Sequence, residues 1–157
     1  MSGVTWVMRR SKLSRLVNQP GGTTVGAALE AAAFETREFR AEAMTIVNAA
    51  LKELDAVLAS PPAEGAVQAW LETVYFLATR ISDTAGPFGF EDMCAAAFSL
   101  CELSDRQKRS GTLELPPLKV HAASLRLLFA EDQPPAARKA VLDGLAQVVE
   151  RTRKPAA

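Results

Sequence analysis

His121 is the single histidine of the 157-residue chain and so its one conventional phosphoacceptor. An imidazole is a nucleophile at neutral pH because its proton is lost near pH 6.5. His121 sits in VHAASLRLL, on the apolar stripe of Leu118, Ala122, Leu125 and Leu128. A partly buried structural histidine is the commoner outcome on such a stripe. The two cysteines, Cys94 and Cys101, lie seven apart. On a helix they stand about two turns apart on one face. A disulfide needs Cα atoms within roughly 7 Å, so both read as reduced, buried thiols. Cys94, Cys101 and His121 supply no close-spaced ligand pair, and no metal site or cofactor is expected. Thr79 carries a hydroxyl with no adjacent base to activate it. No catalytic residue is expected.

The elements that place these residues follow from apolar spacing and turn chemistry. Residues 1–22 form a basic arm with Arg9, Arg10, Lys12 and Arg15 and no acid, ending in Gln-Pro-Gly-Gly, which stops any helix. Trp6, Val7, Leu13, Leu16 and Val17 would line one apolar face of this arm. Thr23 or Thr24 is placed to cap a first helix from Val25 to about Ala59. Its positions Leu29, Ala32, Phe39, Ala43, Val47, Ala50, Leu51, Leu54 and Leu58 recur at three and four. About 35 residues give roughly 50 Å, longer than a small bundle needs, so part is expected to protrude or bend near Thr36–Arg40. The second helix is read from Glu64 to Ala85, with a stripe of Val67, Trp70, Leu71, Val74, Leu77, Ala78, Ile81 and Ala85.

Only Gly86-Pro87-Phe88-Gly89 separates that helix from a third, Phe90 to Arg109, so the two are expected to be antiparallel neighbours. The charges Glu91, Asp92, Glu102, Asp105 and Arg106 on the third helix read as solvated surface. Pro116-Pro117 opens a fourth helix and Pro134-Pro135 a fifth, which carries Val141, Leu142, Leu145, Val148 and Val149. No segment alternates with period two. The expected fold is all-α, an antiparallel four-helix bundle with an additional helix, as one domain over residues 23–153 followed by a tail, 154–157.

Lysines and arginines balance aspartates and glutamates at 18 each, which points away from nucleic acid. No apolar run is long enough to cross a bilayer. The opening residues place apolar side chains before charges, the reverse of a secretory signal. A cytoplasmic protein is expected.

The stretch Trp70–Leu103, WLETVYFLATRISDTAGPFGFEDMCAAAFSLCEL, resembles the core motif of histidine phosphotransfer (HPt) domains. That motif is approximately His-x-Leu-Lys-Gly-Ser-Ala, three residues, then Gly-aromatic-x-x-Leu. Gly89, Phe90 and Met93 match its late part, Thr84-Ala85 its Ser-Ala pair and Ile81 its leucine. Thr79 stands where the family has its phosphorylated histidine, Ser82 where it has lysine and Asp83 where it has glycine. Asp83 places negative charge where a phosphoryl group would arrive. The resemblance therefore implies a retained fold without the reaction, with a receiver domain docking around Arg80, Asp83 and Glu91. The whole chain is also similar to the CheE-like chemotaxis proteins of alphaproteobacteria. Pro20-Gly21-Gly22, AAAFSLCEL (Ala95–Leu103), VHAASLRLL (Val120–Leu128) and AVLDGLAQV (Ala140–Val148) carry that similarity. It implies a role in motility signalling, and with the HPt resemblance the leading reading is a non-catalytic adaptor or modulator in chemotaxis or two-component signalling, bound to a receiver domain or chemotaxis kinase. The alternatives are an active phosphotransfer protein using His121 and a structural module that oligomerises through the long first helix.

Overall fold

The computed structural model describes residues 21–63, 65–130 and 132–153. The tail 154–157 and all but the last two residues of the basic arm lie outside the described residues. Every regular element among those described is helical: α1 (Val25–Ala59), α2 (Val67–Ala85), a 3₁₀ turn (Gly86–Phe88), α3 (Glu91–Ser110), α4 (Leu115–Phe129) and α5 (Pro135–Arg153). The fold class is all-α.

Local chemistry sets the ends. Thr24 caps α1 by accepting the Ala27 N–H at 3.2 Å, and Ser60-Pro61-Pro62 follows its last residue. α2 begins at Val67 rather than Glu64. Gly65 has φ +88° and Ala66 is non-helical at φ −98°, ψ 2°, so the chain turns before it coils. Phe90 belongs outside α3 as its N-cap, at φ −87°, ψ 55°. Gly89 and Gly111, at φ +79° and +69°, occupy the left-handed region after the 3₁₀ turn and after α3.

The chain divides into two units, Met1–Glu38 and Phe39–Ala157. The boundary lies inside α1. In the first unit the described residues 21–38 are all exposed. Leu29 and Ala32, named among the recurring apolar positions of the first helix, are among them, and Phe39 at the start of the second unit is exposed too. Periodicity marks a face able to be buried but names no neighbour to bury it.

The second unit holds the core. α1 contributes Val47, Ala50, Leu51, Leu54 and Leu58; α2 Leu71, Val74, Leu77 and Ile81; α3 Met93, Ala97, Leu100 and Leu103; α4 Leu118, Leu125 and Leu128; and α5 Leu145. Side-chain contacts give the directions of neighbours. Cys94 meets Ser82, Cys101 meets Tyr75, and Lys108 meets Glu72, so α2 and α3 run antiparallel. Ser99 meets His121 and Gln107 meets Glu114, so α3 and α4 do likewise. Asp92 meets Arg138, and Arg106 meets Val149 and Thr152, which makes α3 and α5 parallel.

Several helix ends are completed by side chains from another helix. The Trp70 indole N–H of α2 donates to the carbonyls of Val57 and Ser60 at the end of α1, at 3.2 and 3.1 Å. Arg138 of α5 donates to Leu128 O of α4 at 3.1 Å. Arg106 of α3 donates to Val149 O of α5 at 3.1 Å. Two of these carbonyls also have a local donor, Val57 O in the Ser60 N–H at 3.2 Å and Val149 O in the Thr152 hydroxyl at 2.8 Å, so the side chains from other helices add to the pairing of helix-terminal carbonyls.

Candidate functional site

The predicted surface residues Thr79, Arg80, Asp83 and Glu91 fall on α2 and the first turn of α3, but they do not act alike. Thr79 is half-buried. Its hydroxyl donates to Tyr75 O one turn back at 3.1 Å and lies 3.6 Å from the Cys101 thiol. No imidazole or carboxylate touches it, so no base is in place to make it a nucleophile. Arg80 forms a two-pronged pair with Glu53 of α1, at 3.0 and 3.2 Å. Arg80 is partly buried and Glu53 about half exposed, and a pair this open to solvent contributes little stability. Its effect is to spend the cation of Arg80 within the molecule. Asp83 and Glu91 are exposed, and neither is ion-paired among the described residues.

Two α3 charges read as solvated surface have structural tasks instead. Asp92 accepts from Arg138 Nε at 2.7 Å, and Arg106 donates to Val149 O and Thr152. Together they fasten α3 to α5. Periodicity could not show this, because both side chains leave the apolar stripe and reach sideways.

Cys94 and Cys101 are free thiols that face α2. The Cys94 thiol donates to Ser82 O and the Cys101 thiol to Tyr75 O. Burial raises the Cys101 pKa above its ordinary value; the Asp83 charge adds to this, while the Thr79 contact works against it.

His121 is fully buried between α3 and α4. Its Nδ1 lies 2.8 Å from Pro117 O and its Nε2 2.9 Å from the Ser99 hydroxyl. A carbonyl only accepts, so Nδ1 carries the proton, and in the neutral ring Nε2 accepts from Ser99. Burial pushes its pKa down, partly opposed by the Pro117 bond. Both nitrogens are occupied, and no partner can reach either one without opening the α3–α4 seam. This placement weighs against the phosphoacceptor alternative.

The residues missed from the sequence are aromatic. Tyr75 and Phe76 of α2 are 46% and 63% exposed, and Phe98 of α3 is 61% exposed. The contacts of Cys101 with Tyr75 and Thr79 bring the two helices together at this level. Phe98 stands one turn before Cys101, and Tyr75 one turn before Thr79. The outer face of the α2–α3 pair thus carries three solvent-exposed rings beside Thr79. A signal was present: Phe76 and Phe98 fall off the stripes that found the core, and a large apolar residue off the stripe must face water.

A separate groove of about 900 Å³ lies between the start of α4 and the end of α5, lined by Leu115, Pro116, Pro117, Val120 and Val148 among others. Its lining also includes Glu114 and Thr152, and the Thr152 hydroxyl is held by Arg106 and Val149 O. Among the described residues no group of three or more metal-ligating side chains converges, and no helix is long and apolar enough to cross a membrane. No protein-family model, no curated protein and no solved structure matches the chain.

Proposed function

We propose that this protein is a non-catalytic helical adaptor that binds a protein partner through the outer face of α2 and α3. The observation that carries the reading is the exposed set Tyr75, Phe76 and Phe98 beside a threonine with no base. Large aromatic side chains held in water are characteristic of protein-binding surfaces, and the missing base leaves binding without phosphotransfer. The sequence resemblance to HPt domains and to CheE-like proteins supplies the class of partner: a receiver domain or kinase component of a cytoplasmic chemotaxis or two-component pathway. In that reading the bundle keeps an HPt-like arrangement and has dropped its reaction.

Two measurements test it together. Incubation with a phosphorylated receiver or an autophosphorylating kinase is expected to leave the protein unlabelled. Affinity capture from the native host is expected to recover a motility or two-component protein, and Phe76→Ala/Phe98→Ala is expected to lose it. A phosphoryl label abolished by His121→Gln would replace this reading with the phosphotransfer alternative.

A second reading rests on α1. Val25 and Leu29 are 78% and 65% exposed on successive turns, a face open to self-association. Light scattering coupled to size-exclusion chromatography tests it, and a strict monomer at every concentration removes it.

A further inference from the structure

The charges around the exposed rings narrow what can dock there, given the reading that the outer α2–α3 face is the docking face. Most of them are already compensated. Glu72 pairs with Lys108, Asp105 with Arg109, Glu102 with Arg106, and Arg80 with Glu53. Asp83 and Glu91 are in no ion pair among the described residues, although Arg40, stacked on the Phe90 ring, lines one pocket with Glu91. They lie on either side of the Gly86–Phe88 turn, so both stand at the same end of the helix pair. Along α3, Glu91, Cys94, Phe98, Cys101 and Asp105 recur at three and four, which sets Glu91 and Phe98 on one stripe. Asp83 stands one turn beyond Thr79 and is close enough for its charge to act on the Cys101 thiol. The face is therefore apolar along its middle, neutral at the end near Glu72 and Lys108, and carries two carboxylates at the turn, Asp83 on the α2 side and Glu91 with Arg40 near it on the α3 side.

We infer that this face takes an amphipathic helix of another protein whose apolar side meets Tyr75, Phe76 and Phe98 and whose lysines or arginines meet Asp83 and Glu91. The seam between two antiparallel helices is a groove of the form that receives a helix, and charge complementarity selects the basic partner. The same two carboxylates oppose any acidic surface. A receiver domain bound here would present a basic helix rather than its aspartate-rich phosphoacceptor pocket.

The test uses the full chain and two labelled helical peptides about four turns long, one of leucine and lysine and one of leucine and glutamate, read by fluorescence anisotropy. The lysine peptide is expected to bind and the glutamate peptide to fail. Phe76→Ala/Phe98→Ala should weaken binding about tenfold or more. Asp83→Asn/Glu91→Gln should weaken it roughly three- to tenfold at low salt, with the difference closing as salt screens the charges. Val120→Ala/Leu127→Ala, exposed on α4, should change nothing. All these sites are at the surface, and an unchanged thermal melt confirms that each variant folds. Equal binding by the charge variant, or by the glutamate peptide, overturns the inference while leaving the docking face standing. Binding indifferent to the phenylalanine pair overturns the docking face itself.

Discussion

At the scale of single residues, His121 illustrates how burial changes what a side chain can do. Its ring is held neutral, with a donor and an acceptor each matched. Its pKa in the folded chain lies below the ordinary 6.5. Below that ordinary value the unfolded chain binds a proton that the folded chain resists, so acid favours unfolding. Stability contributed here is full above about pH 6.5 and falls as pH drops toward the depressed folded value. Urea midpoints measured between about pH 7.5 and 5 should show this decline, and His121→Leu should flatten it relative to the parent chain. Ser99→Ala leaves Nε2 without its donor and should cost about 1 kcal/mol. Cys101 is governed by the same physics with opposite charge. Its raised pKa keeps the thiol protonated, and brief alkylation followed by mass spectrometry should find it unmodified in the folded protein.

At the scale of elements, the connection from α2 to α3 depends on Gly89. It adopts φ +79° with no atom near the position of an added Cβ. Gly89→Ala therefore meets no clash and bears only the conformational cost, about 1 kcal/mol, readable as a lower denaturant midpoint. Arg138 tests the lateral ties. It holds Asp92 of α3 and the Leu128 carbonyl of α4 at once. Arg138→Ala should lose about 1–3 kcal/mol, and Arg138→Lys should recover little of it, because one ammonium cannot span both acceptors. Elements were also where the sequence was most legible. The α1 ends at Val25 and Ala59, the glycine turn and the proline-marked starts of α4 and α5 all follow from caps, breakers and period. What stayed hidden was sideways reach. Arg80, Asp92 and Arg106 look like surface charge in a linear pattern, and only packing reveals that each has a partner on another helix.

At the scale of the whole molecule, the two units of α1 differ in what supports them. Residues 25–38 bury no side chain, whereas Ala43, Val47, Ala50, Leu51, Leu54 and Leu58 are buried. Local opening is easiest where few apolar contacts resist it. Hydrogen exchange should be faster for backbone amides of residues 25–38 than for residues 43–58, although both belong to one continuous helix. Equal protection would mean that something covers the first stretch. The apolar stripe of α1 skips from Ala32 to Phe39 across polar Glu35 and Thr36, and helix length pointed to a protrusion or bend near Thr36–Arg40, but nothing in the sequence showed which stretch has a neighbour to bury it. The proposed docking face followed a similar course: Thr79, Arg80, Asp83 and Glu91 were expected from motif register, while the exposure of Phe76 and Phe98 came from the structure.

The borrowed caps at the ends of α1, α4 and α5 bear on how the chain can be divided. Trp70 completes the helix before its own, Arg138 does the same for α4, and Arg106 reaches forward to α5. Each boundary where a shortened version would be cut therefore removes groups that finish a helix on the other side. A fragment ending after α4 keeps all of the sequence of that helix yet loses the guanidinium that seals its last turn, and Arg106 loses Val149 O and Thr152 and keeps only Glu102 of these partners. Such pieces are expected to fray at the new terminus, which makes this chain a poor source of independently folding parts.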